Sequence, residues 1–208
     1  MKLKKISLLN FRNLNEQKIE FNNKLNIFYG DNGQGKTSFL EALYFLSISK
    51  SFRAKSEKIV LQFEKEFFDI KGDFTDNEEN ATSVRVYYSL KDGKHLFLND
   101  NKLSKFSEIL GKIPVILLSL EDLELTYGVP SNRRKFVDIL LSQISPLYLH
   151  ALQKYKKSIL QRNRHLSLIY EKKESIKSIF PWDEQVIQFG SEIIDYRLKL
   201  LEYLNISI

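Results

Sequence analysis

Apolar and polar residues alternate along several stretches of the first half of the chain, and a period of two is typical of strands with one buried face. These stretches are residues 2–11, 18–21, 68–74, 84–90 and 95–98. The last three are joined by an acidic loop at 76–80 and by Asp92-Gly93, a pair that favours a tight hairpin. They therefore predict an antiparallel sheet.

Two further stretches are apolar without alternation. Residues 25–29, which follow a turn predicted at Asn22-Asn23, and residues 115–118 have the length and character of strands buried on both faces. We expect them to be the buried parallel part of a mixed sheet. Residues 38–47 predict a helix that faces this sheet with Phe39, Leu40, Leu43 and Leu46.

The last part of the chain follows a helical period. Ser131 is placed to cap one helix, and the pattern stays helical from Pro146 onward apart from one break. Two apolar stripes, beginning at Tyr148 and Trp182, alternate spacings of four and three as in a coiled-coil seam. They predict an antiparallel helical hairpin whose stripes form an ordinary core.

The segment between the predicted strand at 25–29 and the following helix is complete as a G-x-x-x-x-G-K-[ST] phosphate loop, and its flanks are the context that this pattern requires. Its glycines let backbone N–H groups turn toward phosphate oxygens, and the helix N-terminus adds positive potential. Lys36 is expected at the β- and γ-phosphates, and the Thr37 hydroxyl at Mg²⁺. A nucleoside triphosphate, ATP, is the predicted ligand. The predicted binding residues are Gly30, Asp31, Asn32, Gly33, Gln34, Gly35, Lys36, Thr37 and Ser38.

Composition limits the other possibilities. The 208 residues allow one large domain or a domain with a lobe, and the change of pattern predicts a boundary between 1–128 and 129–208. The chain has no cysteine, so disulfides and thiolate chemistry are excluded, and its three histidines make a histidine metal site improbable. No signal peptide or membrane span is predicted, which favours a cytoplasmic location. The net charge of +6 is compatible with a polyanionic partner or with solubility alone.

The chemistry for hydrolysis is incomplete in this sequence. Phosphoryl transfer needs an acidic residue at the end of a buried strand to hold Mg²⁺. After residues 115–118 the chain continues with Ser119-Leu120 and only then with Glu121-Asp122. Either acid is a candidate on the metal side, and a surface turn or a nucleotide-sensing loop is the favoured alternative. The residues therefore indicate nucleotide binding and do not indicate hydrolysis.

Basic residues concentrate in the helical half. Those at 154, 157 and 164 fall off the apolar stripe, so they are expected to point outward. A solvated helix face explains this pattern, and so does a track for the phosphate backbone of DNA. The basic residues are Arg133, Arg134, Lys135, Lys154, Lys156, Lys157, Arg162, Arg164, Lys172 and Lys173.

Five blocks of the chain together resemble the RecF family, a branch of the SMC-related ATPases. They are Asn10-Phe11-Arg12-Asn13-Leu14, the phosphate loop through Tyr44, Lys50-Ser51-Phe52-Arg53, residues 118–123, and the block with Gly128, Pro130, Arg133-Arg134, Phe136 and Asp138. The resemblance covers essentially the whole chain. It implies an α/β fold, a P-loop ABC-type ATPase head in which a mixed sheet surrounds the phosphate-loop helix beside an antiparallel sheet, with an inserted α-helical lobe.

The resemblance also implies roles for further residues. Arg12 and Asn13 would lie beside the nucleotide phosphates. Arg53 resembles the arginine that couples nucleotide to DNA or to a partner subunit, with a plain loop cation as the alternative. The basic pair Arg133-Arg134 is expected to act in DNA contact or coupling. Either Glu121 or Asp122 would lie near the loop that senses the γ-phosphate.

RecF proteins are longer than this chain, and the resemblance implies that it is an N-terminal portion. Their signature motif and acidic strand would lie outside it, so weak DNA-stimulated ATPase activity is expected of the full-length protein and not of this portion. The family implies binding to single- and double-stranded DNA at gaps, loading of the RecA recombinase with RecR, ATP-dependent homodimers and a place in the SOS response. Alternatives are a nuclease of the overcoming-lysogenisation family and a non-hydrolysing nucleotide-dependent DNA clamp.

Overall fold

The five alternating segments and one short further strand form a six-stranded antiparallel sheet. The computed structural model describes residues 1–22 and 25–206, and the chain divides into a sheet unit, Met1–Leu117, and a helical unit, Leu118–Ile208. The strands are β1 (Lys2–Phe11), β2 (Leu14–Glu20), β3 (Phe67–Thr75), β4 (Ala81–Ser89), β5 (Gly93–Leu98) and β6 (Asn101–Lys102). Their order across the sheet is β2-β1-β3-β4-β5-β6. The predicted antiparallel strands and the hairpin at Asp92-Gly93 are confirmed.

One face of this sheet packs on helix α1 (Lys36–Ile48). Strand β3 buries every second residue, as its sequence predicts, and Ile70 lies opposite Val86 of β4. The rings of Phe11, Phe45 and Phe68 meet edge to face with centroids 5.5 to 6.1 Å apart. Such contacts add to the free energy of area burial. They join β1, α1 and β3 in one core.

The helix after the phosphate loop is confirmed, but its buried face differs from the prediction. Leu40 is 44% exposed, whereas Ala42 and Phe45 are buried with Phe39 and Leu46. Residues three and four apart share a helix face, and the burial of Phe45 brings Ala42 onto the core side. A short helix, α2 (Glu57–Val60), and a 3₁₀ turn (Phe106–Ile109) complete the helical elements described in this unit.

The two predicted buried strands are wrong. Residues 25–29 and 115–118 form no strand in the described part of the chain, and Tyr29 and Leu118 are 91% and 88% exposed. An apolar run becomes a strand only beside a hydrogen-bonding neighbour. The ring of Phe28 instead packs on Phe39, with centroids 4.6 Å apart. The described sheet is therefore antiparallel throughout, and part of the predicted Asn22-Asn23 turn lies outside the described residues.

The helical unit confirms the predicted hairpin of two long helices. Its elements are a 3₁₀ turn (Leu120–Leu123), α3 (Glu124–Tyr127), α4 (Pro130–Ile144), α5 (Pro146–Tyr170), a second 3₁₀ turn (Ile176–Ile179) and α6 (Phe180–Ile206). Helices α5 and α6 pack along each other, and their core includes Tyr148, Leu152 and Ile193. The predicted cap at Ser131 is wrong, because α4 starts with Pro130, whose fixed φ suits the first helical position.

A polar contact ties three helices of this unit together. The hydroxyl of the buried Tyr148 donates to Asp138 Oδ1 over 2.5 Å, and Arg197 NH2 donates to the same oxygen over 2.6 Å. Burial, aided by the carboxylate of Asp138, raises the pKa of Tyr148 to about 12. Because these residues lie on α5, α4 and α6, the contact fixes how the helices of this unit pack.

The division between the two units lies at Leu117, whereas the lobe boundary predicted from the sequence lies at residue 128. That boundary stays a prediction. Among the described helices, none combines the length and the apolar character that crossing a membrane requires.

Candidate nucleotide site

The phosphate loop runs directly into the N-terminus of α1. Gly33 and Gly35 have φ values of 84° and 94°, which L side chains rarely adopt. A Cβ at Gly35 would lie 2.6 Å from Leu14 Cδ2, so the loop also packs too closely on β2 for a larger residue. These two glycines explain why the loop takes this path.

Lys36, the first residue of α1, arches back over the loop. Its Nζ donates to the carbonyl oxygens of Gly30 and Asp31, each over 2.7 Å. The first N–H groups of a helix have no acceptor within it, and the helix dipole makes this end positive. No acidic residue occupies the first turn of α1. The ammonium group and the helix end therefore favour an anion at the same place.

A cleft of about 340 Å³ opens beside this turn. It brings together loop residues and two residues distant in sequence, Asn13 and Arg53. Its lining, among the residues that the structure describes, contains cations, hydroxyls, amides and glycines and no carboxylate. This set of donors fits a polyphosphate. The lining residues are Asn13, Asn32, Gly33, Gly35, Lys36, Thr37, Ser38 and Arg53.

Asn13 supports the loop directly. Its side-chain amide donates to the carbonyl oxygen of Gly33 over 2.7 Å. Thr37 is exposed at the cleft, so its hydroxyl is accessible to a ligand. Of the other predicted residues, Gly30, Asp31 and Gln34 belong to the loop without lining the cleft.

Arg12 is placed differently from Asn13. It is absent from the cleft lining and pairs with Glu41 of α1, with NH2 to Oε1 at 2.8 Å and Nε to Oε2 at 3.0 Å. Its third donor, NH1, reaches the carbonyl oxygen of Ile59 over 3.1 Å. The φ of Arg12 is 56°, so the corner after β1 turns in a left-handed conformation. Arg12 thus fixes the corner from which Asn13 reaches the loop.

Glu41 has a fully buried side chain and collects three partners. Besides Arg12, the Ser51 hydroxyl donates to Oε1, and Arg53 NH2 donates to Oε2 over 2.5 Å. Burial alone would raise the pKa of Glu41, but the hydrogen bonds from Arg12, Ser51 and Arg53 outweigh it and hold that pKa below its ordinary value. The carboxylate is therefore charged at neutral pH.

Sequence reasoning missed the role of Glu41. The available signal is an acidic residue inside an otherwise apolar helix, between Leu40 and Ala42, in a chain with arginines in two nearby loops. A buried acid needs a cationic partner. That rule points to arginine pairing, although it does not select Arg12 and Arg53 among the many cations of the chain.

The other predicted functional residues lie in the helical unit. Arg133 NH1 donates to the carbonyl oxygen of Gly128 over 3.0 Å, whereas Arg134 is exposed. The Asp122 carboxylate accepts from the backbone N–H of Ser119 over 2.5 Å and from its hydroxyl over 2.9 Å, so it closes its own turn. The side chain of Glu121 lies outside the described part of the chain. A role of either acid in sensing nucleotide stays a prediction.

Within residues 1–22 and 25–206, no three histidine or acidic side chains cluster as a metal site would require. The metal contact predicted for Thr37 is of a different kind, because a phosphate-loop hydroxyl shares Mg²⁺ with the nucleotide itself. The site residues fit such a shared ion without a separate carboxylate cage.

Residues 1–199 match the family model described as the AAA ATPase domain, and the chain belongs to this family. It is similar to the DNA replication and repair protein RecF of Streptococcus equi subsp. zooepidemicus, with 38% identity over 98% of this chain and 54% of the relative. RecF of Streptococcus pneumoniae is 36% identical over 99% of this chain and 55% of its own length. The chain thus spans about half the length of these relatives.

Solved structures agree with this assignment. The structure of "the recombination mediator protein RecF-ATP in RecFOR pathway" superposes with a TM-score of 0.91 and 35% identity over 97% of this chain and 54% of that one. A structure of SMC ATPases superposes with a TM-score of 0.56 and 19% identity over 67% of this chain and 99% of that one, which shows a shared fold. The ATPase-head fold predicted from the sequence, and its resemblance to RecF, are confirmed.

Proposed function

We propose that this chain binds Mg-ATP at the phosphate loop and is the nucleotide-binding part of a RecF-type DNA replication and repair protein. The observation that carries the proposal is the cleft at the N-terminus of α1, where Lys36, Thr37 and Arg53 converge without a carboxylate among the described lining residues. Such a donor set attracts a polyphosphate and offers nothing to repel it.

Each residue has a separate task in this proposal. Lys36 exchanges its two carbonyl acceptors for phosphate oxygens, and the N–H groups of the first turn of α1 bind the same phosphates. The Thr37 hydroxyl would hold Mg²⁺, which would neutralise phosphate charge when bound. Asn13 keeps the loop in its binding shape through the carbonyl of Gly33.

Calorimetric titration with Mg-ATP tests the proposal. Lys36→Ala is expected to weaken binding at least about 10-fold, because hydrogen bonds to charged groups are strong. Lys91→Ala is the matched control, since Lys91 is also a cation of the sheet unit but lies exposed near the β4–β5 turn. Equal affinity of wild type and a folded Lys36→Ala variant would contradict the proposal.

The metal contact has its own test. Thr37→Ala removes the hydroxyl, whereas Thr37→Ser keeps it, so only the alanine variant is expected to lose the gain in ATP affinity that Mg²⁺ provides. Titrations with ATP in Mg²⁺ and in EDTA measure that gain. A gain that survives in Thr37→Ala would remove Thr37 from the site.

DNA binding is the second part of the proposal, and the exposed cations of the helical unit support it. Arg134, Lys154 and Lys157 are exposed and form no ion pair within the described residues, whereas Arg133 is engaged with backbone carbonyls. Such cations bind the phosphate backbone of single- and double-stranded DNA without reading sequence.

Fluorescence anisotropy with gapped DNA at several salt concentrations tests this part. The double change Lys154→Glu and Lys157→Glu is expected to weaken binding and to lower the salt slope by about 2. Lys102→Glu, a charge reversal in the sheet unit, should leave both unchanged. A salt slope that stays at the wild-type value would place the DNA elsewhere.

For the whole protein we propose the activities that the RecF resemblance implies: ATP-dependent dimerisation, weak DNA-stimulated ATPase activity, and cooperation with RecR in loading recombinase at gaps. We propose that these activities, including any part in the SOS response, take place in the cytoplasm, where the chromosome lies. Sedimentation of this chain with RecR, with and without Mg-ATP, tests whether residues 1–208 suffice for partner binding. A complex that forms only with longer RecF chains would assign that surface to the remaining half.

A further inference from the structure

The cluster around Glu41 carries one more positive charge than it needs. One buried carboxylate faces two guanidinium groups, from Arg12 and Arg53, and one hydroxyl, from Ser51. A buried carboxylate requires one well-placed cation to offset its loss of hydration. The second cation is therefore surplus to the stability of the carboxylate, and it leaves a net charge of +1 beside the phosphate loop.

The two arginines are not equivalent. Arg12 uses three donors, two on Glu41 and one on the carbonyl of Ile59, and its own backbone N–H bonds to Val60. This arginine joins β1, α1 and α2 and cannot leave without breaking several contacts. Its single positive charge balances the negative charge of Glu41. Arg12 is therefore the fixed cation of the cluster.

Arg53 has a looser attachment on its side-chain end. Its guanidinium donates one hydrogen bond to Glu41 and lies over the Phe52 ring, and its side chain is 33% exposed in the cleft lining. Its backbone is held separately, because Ser51 Oγ accepts from the N–H groups of Arg53 and Ala54 over 2.9 and 2.7 Å. The guanidinium can thus change partner while the turn that carries it stays in place.

We propose that Glu41 is a positioning residue that holds the Arg53 guanidinium at the edge of the cleft when no nucleotide is bound. A phosphate chain bound at the loop becomes the hydrogen-bond partner of Arg53 in place of Glu41, whereas Arg12 stays paired with Glu41. The inference rests on the proposed function, since it needs a polyphosphate in the cleft. A planar guanidinium with several donors pairs well with phosphate oxygens, so bound nucleotide competes with the carboxylate for it. Occupancy of the loop thereby changes the partner of the Arg53 guanidinium, while the turn at residues 51–54 stays in place.

Competition makes a specific prediction for affinity. Arg53→Ala is expected to weaken Mg-ATP binding about 10-fold, because it removes a charge-assisted hydrogen bond. Glu41→Gln keeps the shape but releases Arg53, so it should tighten binding severalfold. In the Arg53→Ala background the same Glu41→Gln change should have no effect. Lys55→Ala, which removes an exposed cation from the same segment, is the matched control.

Calorimetry on the two single variants, the double variant and wild type shows whether Glu41 positions Arg53 or only supports the fold. If Glu41→Gln weakens binding equally with and without Arg53, Glu41 only supports the fold and the inference is overturned. Unchanged affinity in Arg53→Ala overturns it as well. Absence of Mg-ATP binding by folded wild type would instead defeat the proposed function, on which this inference depends.

A second measurement uses wild-type protein and so does not depend on the folding of a variant. Nitrogen-15 NMR of the arginine Nε–H groups, assigned with Arg53→Lys, should show the Arg53 signal shifting on addition of Mg-ATP while that of Arg12 stays. A purely structural cluster would move neither signal, and a general rearrangement would move both. Either result would overturn the proposal.

Discussion

The sheet unit and the helical unit each pair an acidic side chain with arginine, and they compensate its charge differently. The Glu41 cluster consists of Glu41, Arg12, Ser51 and Arg53. The Asp138 cluster consists of Asp138, Tyr148 and Arg197. The first has two cations for one carboxylate and borders a cleft, whereas the second has one cation and one phenol between packed helices. A balanced pair serves packing, and a surplus cation at a cleft is available to a ligand.

The largest expected effect comes from removing the two carboxylates. Glu41→Ala leaves Arg12 without its buried partner and should lower the free energy of unfolding by about 3–5 kcal/mol. Asp138→Ala should cost about 1–3 kcal/mol, because Arg197 is 26% exposed and regains water. Urea unfolding with peptide-resolved hydrogen exchange measures each loss in its own unit. Equal losses would contradict the inference that the two clusters compensate the charge of their carboxylates differently.

Acid should affect the Glu41 cluster selectively. The pKa of Glu41 is lowered from 4.5, so its contribution is present above about pH 4.5 and is lost as the pH falls through the lowered value. Glu41→Gln should remove this acid dependence and cost about 2 kcal/mol at neutral pH, since it weakens hydrogen bonds to charged groups. Urea midpoints measured from about pH 3 to about pH 7, a range that covers the titration of carboxylates, test both statements. A loss of stability at low pH that persists in the variant would come from other carboxylates.

Alkali should affect the Asp138 cluster. The pKa of Tyr148 is raised from 10.0 to about 12, so its contribution is fully present below pH 10 and is lost as the pH rises toward 12. Tyr148→Phe should lower the free energy of unfolding by about 1 kcal/mol at neutral pH, and it should reduce the loss of stability at alkaline pH. Because the chain has ten tyrosines, the measurement is the difference between variant and wild-type urea midpoints across that range. Parallel curves would contradict the assignment.

The smallest effect is expected from an ion pair of the helical unit whose two side chains are both partly exposed. Arg162 and Asp183 join α5 to α6 with side chains 36% and 35% exposed. Asp183→Asn should cost about 0.5 kcal/mol, and added salt should reduce the difference, because exposed pairs are screened. The fluorescence of Trp182, the only tryptophan, reports unfolding beside this pair. A loss as large as that of Asp138→Ala would show that burial does not rank these pairs.

Much of the site could be predicted from the sequence because its signals are local. The phosphate loop depends on glycine spacing. Motif resemblance predicted Asn13 beside the nucleotide phosphates and a coupling role for Arg53; both residues line the cleft, and their roles stay predictions. The ion pair between Arg12 and Glu41 could not be predicted from the motif, because its carboxylate lies 29 positions away in the chain. Which of several arginines compensates a buried acid is decided by the packing of β1 on α1.

By itself the sequence determined the antiparallel strands, the helical hairpin and the phosphate loop, since periodicity and glycine conformation act over a few neighbouring residues. Only the tertiary structure decided that residues 25–29 and 115–118 form no strand in the described chain, and that two arginines share Glu41. Both outcomes depend on partners far away in the chain. Strand pairing requires a neighbouring backbone, and charge compensation requires a cation brought close by the fold, and neither is encoded in a local pattern.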